Sequence, residues 1–126
     1  MNAQQFPRLA EIDSDHREFL SRLTTLIASS DADFPSQFQA LIVHTREHFL
    51  KEGNLMREAS YQELTSHEGE HQRVLTEMQE LNRGIRRGRL SLVRSQVGES
   101  LTEWFNKHLV TMDSVLLTHL KTNQPI

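Results

Sequence analysis

The chain is predicted to be all-α, an up-down-up-down four-helix bundle with a metal site in its core. Three observations carry this. Four segments repeat apolar residues at three-and-four spacing, no segment shows strand alternation or a hairpin dipeptide, and histidines and acids fall inside the apolar stripes. Facing helices of such a bundle are a standard place to build metal sites.

The first helix is expected from about Ser14 to Ser29, with Ile12, His16, Phe19, Leu20, Leu23, Leu26 and Ile27 as its stripe and Asp13-Ser14-Asp15 as a capping cluster. After a polar break at Ser29 to Asp33, Pro35 suits the first turn of a second helix. That helix runs through Phe38, Leu41, Ile42, Thr45, His48, Phe49 and Glu52 until Gly53-Asn54 weakens it. A third, from about Leu64 to Arg87, presents His67, His71, Val74, Leu75, Met78, Leu81 and Ile85, and ends near Gly84 and Gly88. The fourth begins near Ser91 and is the longest, with Val93, Val97, Leu101, Trp104, Phe105, His108, Met112, Val115 and Leu116 facing one way.

At 126 residues the chain suits one compact domain, 1–126, with no room for a second. Its formal charge is -3 and its basic and acidic residues are interspersed, so no field attracts nucleic acid or an anionic membrane. Cysteine is absent, which excludes disulfides, thiolate-bound zinc, iron-sulfur clusters and thiol catalysis. The first residues lack a signal-peptide core, and no apolar run approaches the ~18–20 residues needed to span a bilayer. A soluble, cytoplasmic protein is expected.

The candidate ligands are His16, His48, Glu52, His67, His71, His108 and Asp113. His48 and Glu52 are four apart, as are His67 and His71, so each pair shares one helix face. A lone histidine on an apolar face is ordinarily a core residue with one hydrogen bond. Five imidazoles on the inward stripes of all four helices would be costly unpaired, whereas a metal satisfies them together. Asp113 is ambiguous by spacing, because five residues after His108 is roughly 140° around an α-helix. Imidazole and carboxylate without thiolate suit iron, manganese or zinc. If both carboxylates bridge two ions, five histidines divide three and two, and with a bridging oxygen one ion keeps an open position.

On these residues the chain resembles the hemerythrin family, in its stand-alone bacterial type. The matching segments are IDSDHREFL around His16, HFLKE from His48 to Glu52, HEGEH from His67 to His71, and WFNKHLVTMD from Trp104 to Asp113. The resemblance implies two iron ions, joined by an oxo or hydroxo bridge and by the carboxylates of Glu52 and Asp113. His67, His71 and His108 would hold one iron, and His16 and His48 the other, where dioxygen would bind. It also implies departures: Phe105 where the family commonly has leucine, Val74 where it has phenylalanine, Gly53 for a second acid, and Gln62 for a proline; the N-terminal arm lacks the customary tryptophan. Phe105, Trp104 and Val74 are the candidate lining of the oxygen pocket.

His44 makes the string HxxxHxxxE but falls at the edge of its stripe, which suits a partly exposed or supporting role. His119 is ~16 Å along the axis from His108, too far to share the site, and suits the helix C-terminus. Arg83, Arg86, Arg87, Arg89 and Arg94 read as a solvated turn, or in the sharper alternative as a docking patch for an acidic partner or oxidoreductase. The leading function is reversible dioxygen binding for storage, delivery or sensing. The competing readings are a di-iron enzyme acting on peroxide, nitric oxide or dioxygen, and a metal-dependent signalling module. The absence of paired Glu-x-x-His motifs among the ligands disfavours an enzyme.

Overall fold

In the computed structural model, which describes residues 7–122, helix α1 spans Pro7–Ala28, α2 Phe34–Glu58, α3 Leu64–Arg86 and α4 Leu90–His108. Without a break, α4 passes into a π-helical turn, Leu109–Asp113, and then into α5, Ser114–Thr122, so the three form the fourth rod of the bundle. No strand occurs among the described residues. Short turns at 29–33, 59–63 and 87–89 join consecutive rods, and α1 packs on α2 and α4 while α3 packs on α2 and α4. The rods therefore close a ring around one core. Among the described residues, no helix is long and apolar enough to cross a membrane.

Helix boundaries differ from the sequence expectation where tertiary contacts outweigh local signals. α1 starts at Pro7, so Asp13-Ser14-Asp15 lies within the helix and does not cap it; Asp13 and Ser14 are exposed and Asp15 is buried. α2 passes through Gly53 because that position meets α3. A Cβ on Gly53 would lie 3.2 Å from Glu68 Oε1, beside the Arg57–Glu68 ion pair. The extra turns bury Leu55 and Met56. α2 then stops in a Schellman motif, the Tyr61 N–H donating to Met56 O at 3.0 Å and the Ser60 N–H to Arg57 O at 3.2 Å, with Ser60 at φ +50°. α3 ends the same way around Gly88, at φ +81°, with Arg89 N–H donating to Gly84 O and Gly88 N–H to Ile85 O.

The apolar core has two parts. The larger gathers Phe19, Leu23, Phe38, Leu41, Val74, Met78, Val97 and Phe105 with their neighbours, and the smaller gathers Ile12, Leu55, Met56, Tyr61, Leu116 and Leu120. Leu20, Ile27 and Val115, assigned to inward stripes by sequence, are exposed. For Val115 the reason is the π turn, which shifts the register after it so that the inward face runs through Asp113, Leu116 and Leu120 and leaves Val115 outside. Arg94 is engaged within the fold: its guanidinium donates to Asp31 at 3.0 Å, Ile27 O at 3.2 Å and Ser29 O at 2.7 Å, and lies over the Phe34 ring. It thereby satisfies carbonyls at the C-terminal end of α1.

Two glycines give opposite expectations for one chemical change. Gly88→Ala places a Cβ on a left-handed residue and is expected to destabilise by about 1 kcal/mol. Gly69→Ala, in a helix with nothing within 4 Å of the new Cβ, is expected to stabilise by a similar amount. Denaturant unfolding of both variants against the parent checks the signs.

Candidate metal centre

Each helix places its polar residues between the two apolar clusters. On α1, His16 lies between Ile12 and Phe19; on α2, His48 and Glu52 lie beside Phe49 and Leu55; on α3, His67 and His71 precede Val74; and on the fourth rod His108 and Asp113 lie between Phe105 and Leu116. All seven are buried, Glu52 completely.

Asp113 reaches the centre through the π turn. An α-helix would turn a residue five after His108 well away, but the π turn closes its hydrogen bonds at five-residue spacing and brings the two side chains together. Asp113 Oδ1 lies 3.0 Å from His108 Nε2.

The carboxylates divide their oxygens between two groups of histidines. Glu52 Oε1 lies 2.9 Å from His67 Nε2 and 3.3 Å from His71 Nε2, while its Oε2 lies 2.7 Å from His48 Nε2 and 3.8 Å from His16 Nε2. Asp113 Oδ1 faces His67, at 3.2 Å, and His108, while Oδ2 faces His16 at 3.0 Å. One half-site thus offers three imidazoles and two carboxylate oxygens, the other two imidazoles and two oxygens.

Close as these atoms are, they do not hydrogen-bond to one another. The Nε2 atoms of His16, His67, His71 and His108, both oxygens of Glu52 and Oδ1 of Asp113 are buried without a hydrogen-bond partner. Ring N–H directions miss the oxygens, so nitrogens and oxygens converge on shared space. A cluster of orphaned buried donors and acceptors is costly by itself and is resolved by a cation that takes all of them as ligands. The donor set fits a pair of metal ions.

The charges agree with this geometry. Burial alone would raise the Glu52 and Asp113 carboxyls, but the surrounding imidazoles hold both well below the ordinary carboxylate range. Burial opposes charge on His16 and His67 too, yet the two carboxylates lift each to about 9. His48 is raised as well, by Glu52 and Asp15, whereas burial wins at His71 and lowers it.

Ring packing holds the imidazoles. Phe49 stacks on His71 with centroids 3.7 Å apart and planes 6° apart, Trp104 stacks on His108 at 4.9 Å, and Phe105 meets His16 edge-on while stacking on Phe19. The Trp104 indole N–H donates to Glu70 Oε1 at 2.8 Å; Arg73 beside Glu70 holds that carboxyl down at about 2. Three contacts were invisible in the sequence. Asp15 accepts a hydrogen bond from His48 Nδ1 at 3.0 Å, Glu70 anchors Trp104, and His44 bridges helices, with Nε2 donating to Asp15 O at 3.2 Å and Nδ1 lying 3.2 Å from Glu18. His44 is buried on the wall of the site and offers no atom to either metal group. His119 lies elsewhere, its ring 4.9 Å from that of Tyr61.

A cavity adjoins the two-histidine half. Its walls include both histidines of that half, His16 and His48, together with His108 and Asp113, and are otherwise mostly aromatic, with Phe19, Phe49, Trp104 and Phe105; it has about the space of a single water. Val74, also expected near the pocket, packs in the larger apolar cluster and is not among the cavity walls. Burial of Asp15 would raise its carboxyl, but His48, with Lys51 behind it, holds it below the usual value.

Comparison with known proteins was informative at this point. Residues 8–120 match the family profile described as hemerythrin HHE cation binding domain. A relative named bacteriohemerythrin, from Ralstonia nicotianae, is 36% identical over 116 residues, which cover 92% of this chain and 84% of the relative. No solved structure matches the chain.

The shifted histidines set a pH dependence for protein stripped of metal. His16 and His67 bind protons more tightly folded than unfolded, so their contribution is complete below pH 6.5 and is lost as pH rises to about 9. Glu52, Asp113 and His71, all depressed, lose theirs as pH falls through the acid range. The thermal midpoint of the stripped protein is expected to fall between pH 6.5 and 9. Metal-loaded protein, whose ligands must be deprotonated, should not show that fall. Parallel melts of both forms across this range check the sign.

Proposed function

This chain belongs to the hemerythrin family, and from that premise we propose that it holds two iron ions and binds dioxygen reversibly at the half with two histidines. The observation that carries the reading is the unequal ligand division beside an apolar cavity. His67, His71 and His108 with one oxygen from each carboxylate leave less room for a further ligand than His16 and His48 do, and the cavity is lined by both of the latter but by His108 alone of the other three. Held by His16, His48, Glu52, His67, His71, His108 and Asp113, an iron pair would supply the reversible two-electron chemistry that dioxygen binding needs.

The chain's own residues favour binding over turnover. Glu52 and Asp113 face both halves, the rings of Phe49, Trp104 and Phe105 pack on the imidazoles and exclude water, and three hydrogen-bond donors of the cavity wall, on Thr45, Trp104 and His44, are engaged elsewhere. The Thr45 hydroxyl donates to Leu41 O at 2.7 Å, Trp104 donates to Glu70, and His44 Nε2 donates to Asp15 O. An enzyme reducing peroxide or nitric oxide needs a proton delivered to its substrate, and these groups are not aimed to deliver one.

Two irons per chain are expected on elemental analysis of protein loaded with ferrous iron. Visible absorption should appear in air and vanish when oxygen is removed. A single metal per chain, or consumption of oxygen without reversal, sinks the reading.

Phe105 occupies the cavity wall against His16, stacked on Phe19. Phe105→Ala is expected to admit azide severalfold faster in stopped-flow mixing and to shorten the life of the oxygen-dependent spectrum. Unchanged rates for both would remove Phe105 from any gating role.

A further inference from the structure

α1 contributes more to the centre than the ligand His16. Asp15, its neighbour, is 8% exposed and turns its carboxylate toward α2, where Oδ2 lies 3.0 Å from His48 Nδ1. Its main-chain carbonyl accepts from His44 Nε2, so one residue ties α1 to α2 by both backbone and side chain. Lys51 Nζ lies 3.4 Å from the same oxygen and pairs with Glu11 at 3.0 Å on the surface.

The consequence for His48 follows from which atoms can donate. A carboxylate only accepts, so Nδ1 carries the hydrogen and Nε2 keeps the lone pair. That Nε2 faces the interior, 2.7 Å from Glu52 Oε2. An anionic acceptor on the outer nitrogen also makes the imidazole a stronger donor to a metal than a neutral acceptor would. Among the described residues His48 is the one ligand histidine whose outer nitrogen meets a carboxylate; the corresponding Nδ1 of His108 is buried without a partner. The asymmetry falls on the half with fewer imidazoles, next to the cavity.

We propose that Asp15 is a positioning residue for the His16/His48 half of the centre: it fixes the tautomer and orientation of His48 and strengthens it as a ligand to the metal that faces the cavity. This rests on the iron-pair reading above and adds to it a residue outside the ligand set.

The test uses the full-length iron-loaded protein and the isosteric Asp15→Asn variant, which keeps an acceptor oxygen and removes the charge. Two quantities are read: the reduction potential of the iron pair and the release of iron to a competing chelator. The expected result is a more positive potential and one of the two irons leaving about 10–100-fold more readily, while the other stays at the parent rate. A packing role alone would lower the melting temperature and leave the potential unchanged, which would overturn the proposal; so would equal loss of both irons. If the Asn variant does not fold, Asp15→Glu, with its charge kept but displaced, is read in the same two ways, and parental values there would also overturn it. A parent protein that holds no iron pair would bring down the functional reading and this one together. A parent that holds it beside an indistinguishable variant removes Asp15 alone.

Discussion

Two carboxylates buried at the middle of a small core are the constraint on which the structure depends. Desolvating such a charge costs several kcal/mol even after relaxation, and the cost is met only where opposite charge or metal is held close. Glu52 and Asp113 meet it by facing five imidazoles, with each carboxylate oxygen turned to a different half-site. Every rod of the bundle must therefore interrupt its apolar stripe at the same level. The interruption splits the core into a larger cluster on one side and a smaller one, built on Ile12, Met56, Tyr61 and Leu116, on the other. Both clusters keep water from the charged layer, and the layer in turn fixes how the helices are aligned along their axes.

That alignment explains the break from α-helical geometry in the last rod. With His108 inward, a regular helix would aim Asp113 away from the centre, and one with Asp113 inward would lose His108. The π turn at Leu109–Asp113 reconciles them, at the expense of less favourable backbone geometry confined to the layer of buried imidazoles and carboxylates. Its effect reaches further, since the inward face beyond it passes through Leu116 and Leu120 of the smaller cluster and Val115 is left outside.

Around this layer, groups that do not touch the shared ligand space decide how firmly it is held. Phe49 and Trp104 stack on the rings of His71 and His108, and Glu70 fixes the indole from outside, itself held by Arg73. Asp15 does for His48 with a hydrogen bond what the aromatic rings do for His71 and His108 by stacking. Arg94 works at a distance, closing the turn between α1 and α2 so that the cationic surface around residues 83–94 is partly consumed within the fold.

The sequence by itself determined the helical class, most of the stripes and the paired candidate ligands of α2 and α3. His48 with Glu52 and His67 with His71 are legible because residues four apart share a helix face whatever packs opposite. Resemblance, not spacing, supplied Asp113, because α-helical periodicity places it about 140° from His108 and a π turn leaves no local signature. Gly53-Asn54 reads as a helix end, yet α2 continues through it, with Gly53 beside the Arg57–Glu68 pair, and the added turns bury Leu55 and Met56. Asp15 reads as part of a cap for the same kind of reason: an acid before a periodic stripe has that meaning locally, and only the arrival of His48 from another helix gives it a different one. Intervals within one helix are written in the chain, whereas a bond between helices exists only once their packing has set the distance, and that was left to the tertiary structure.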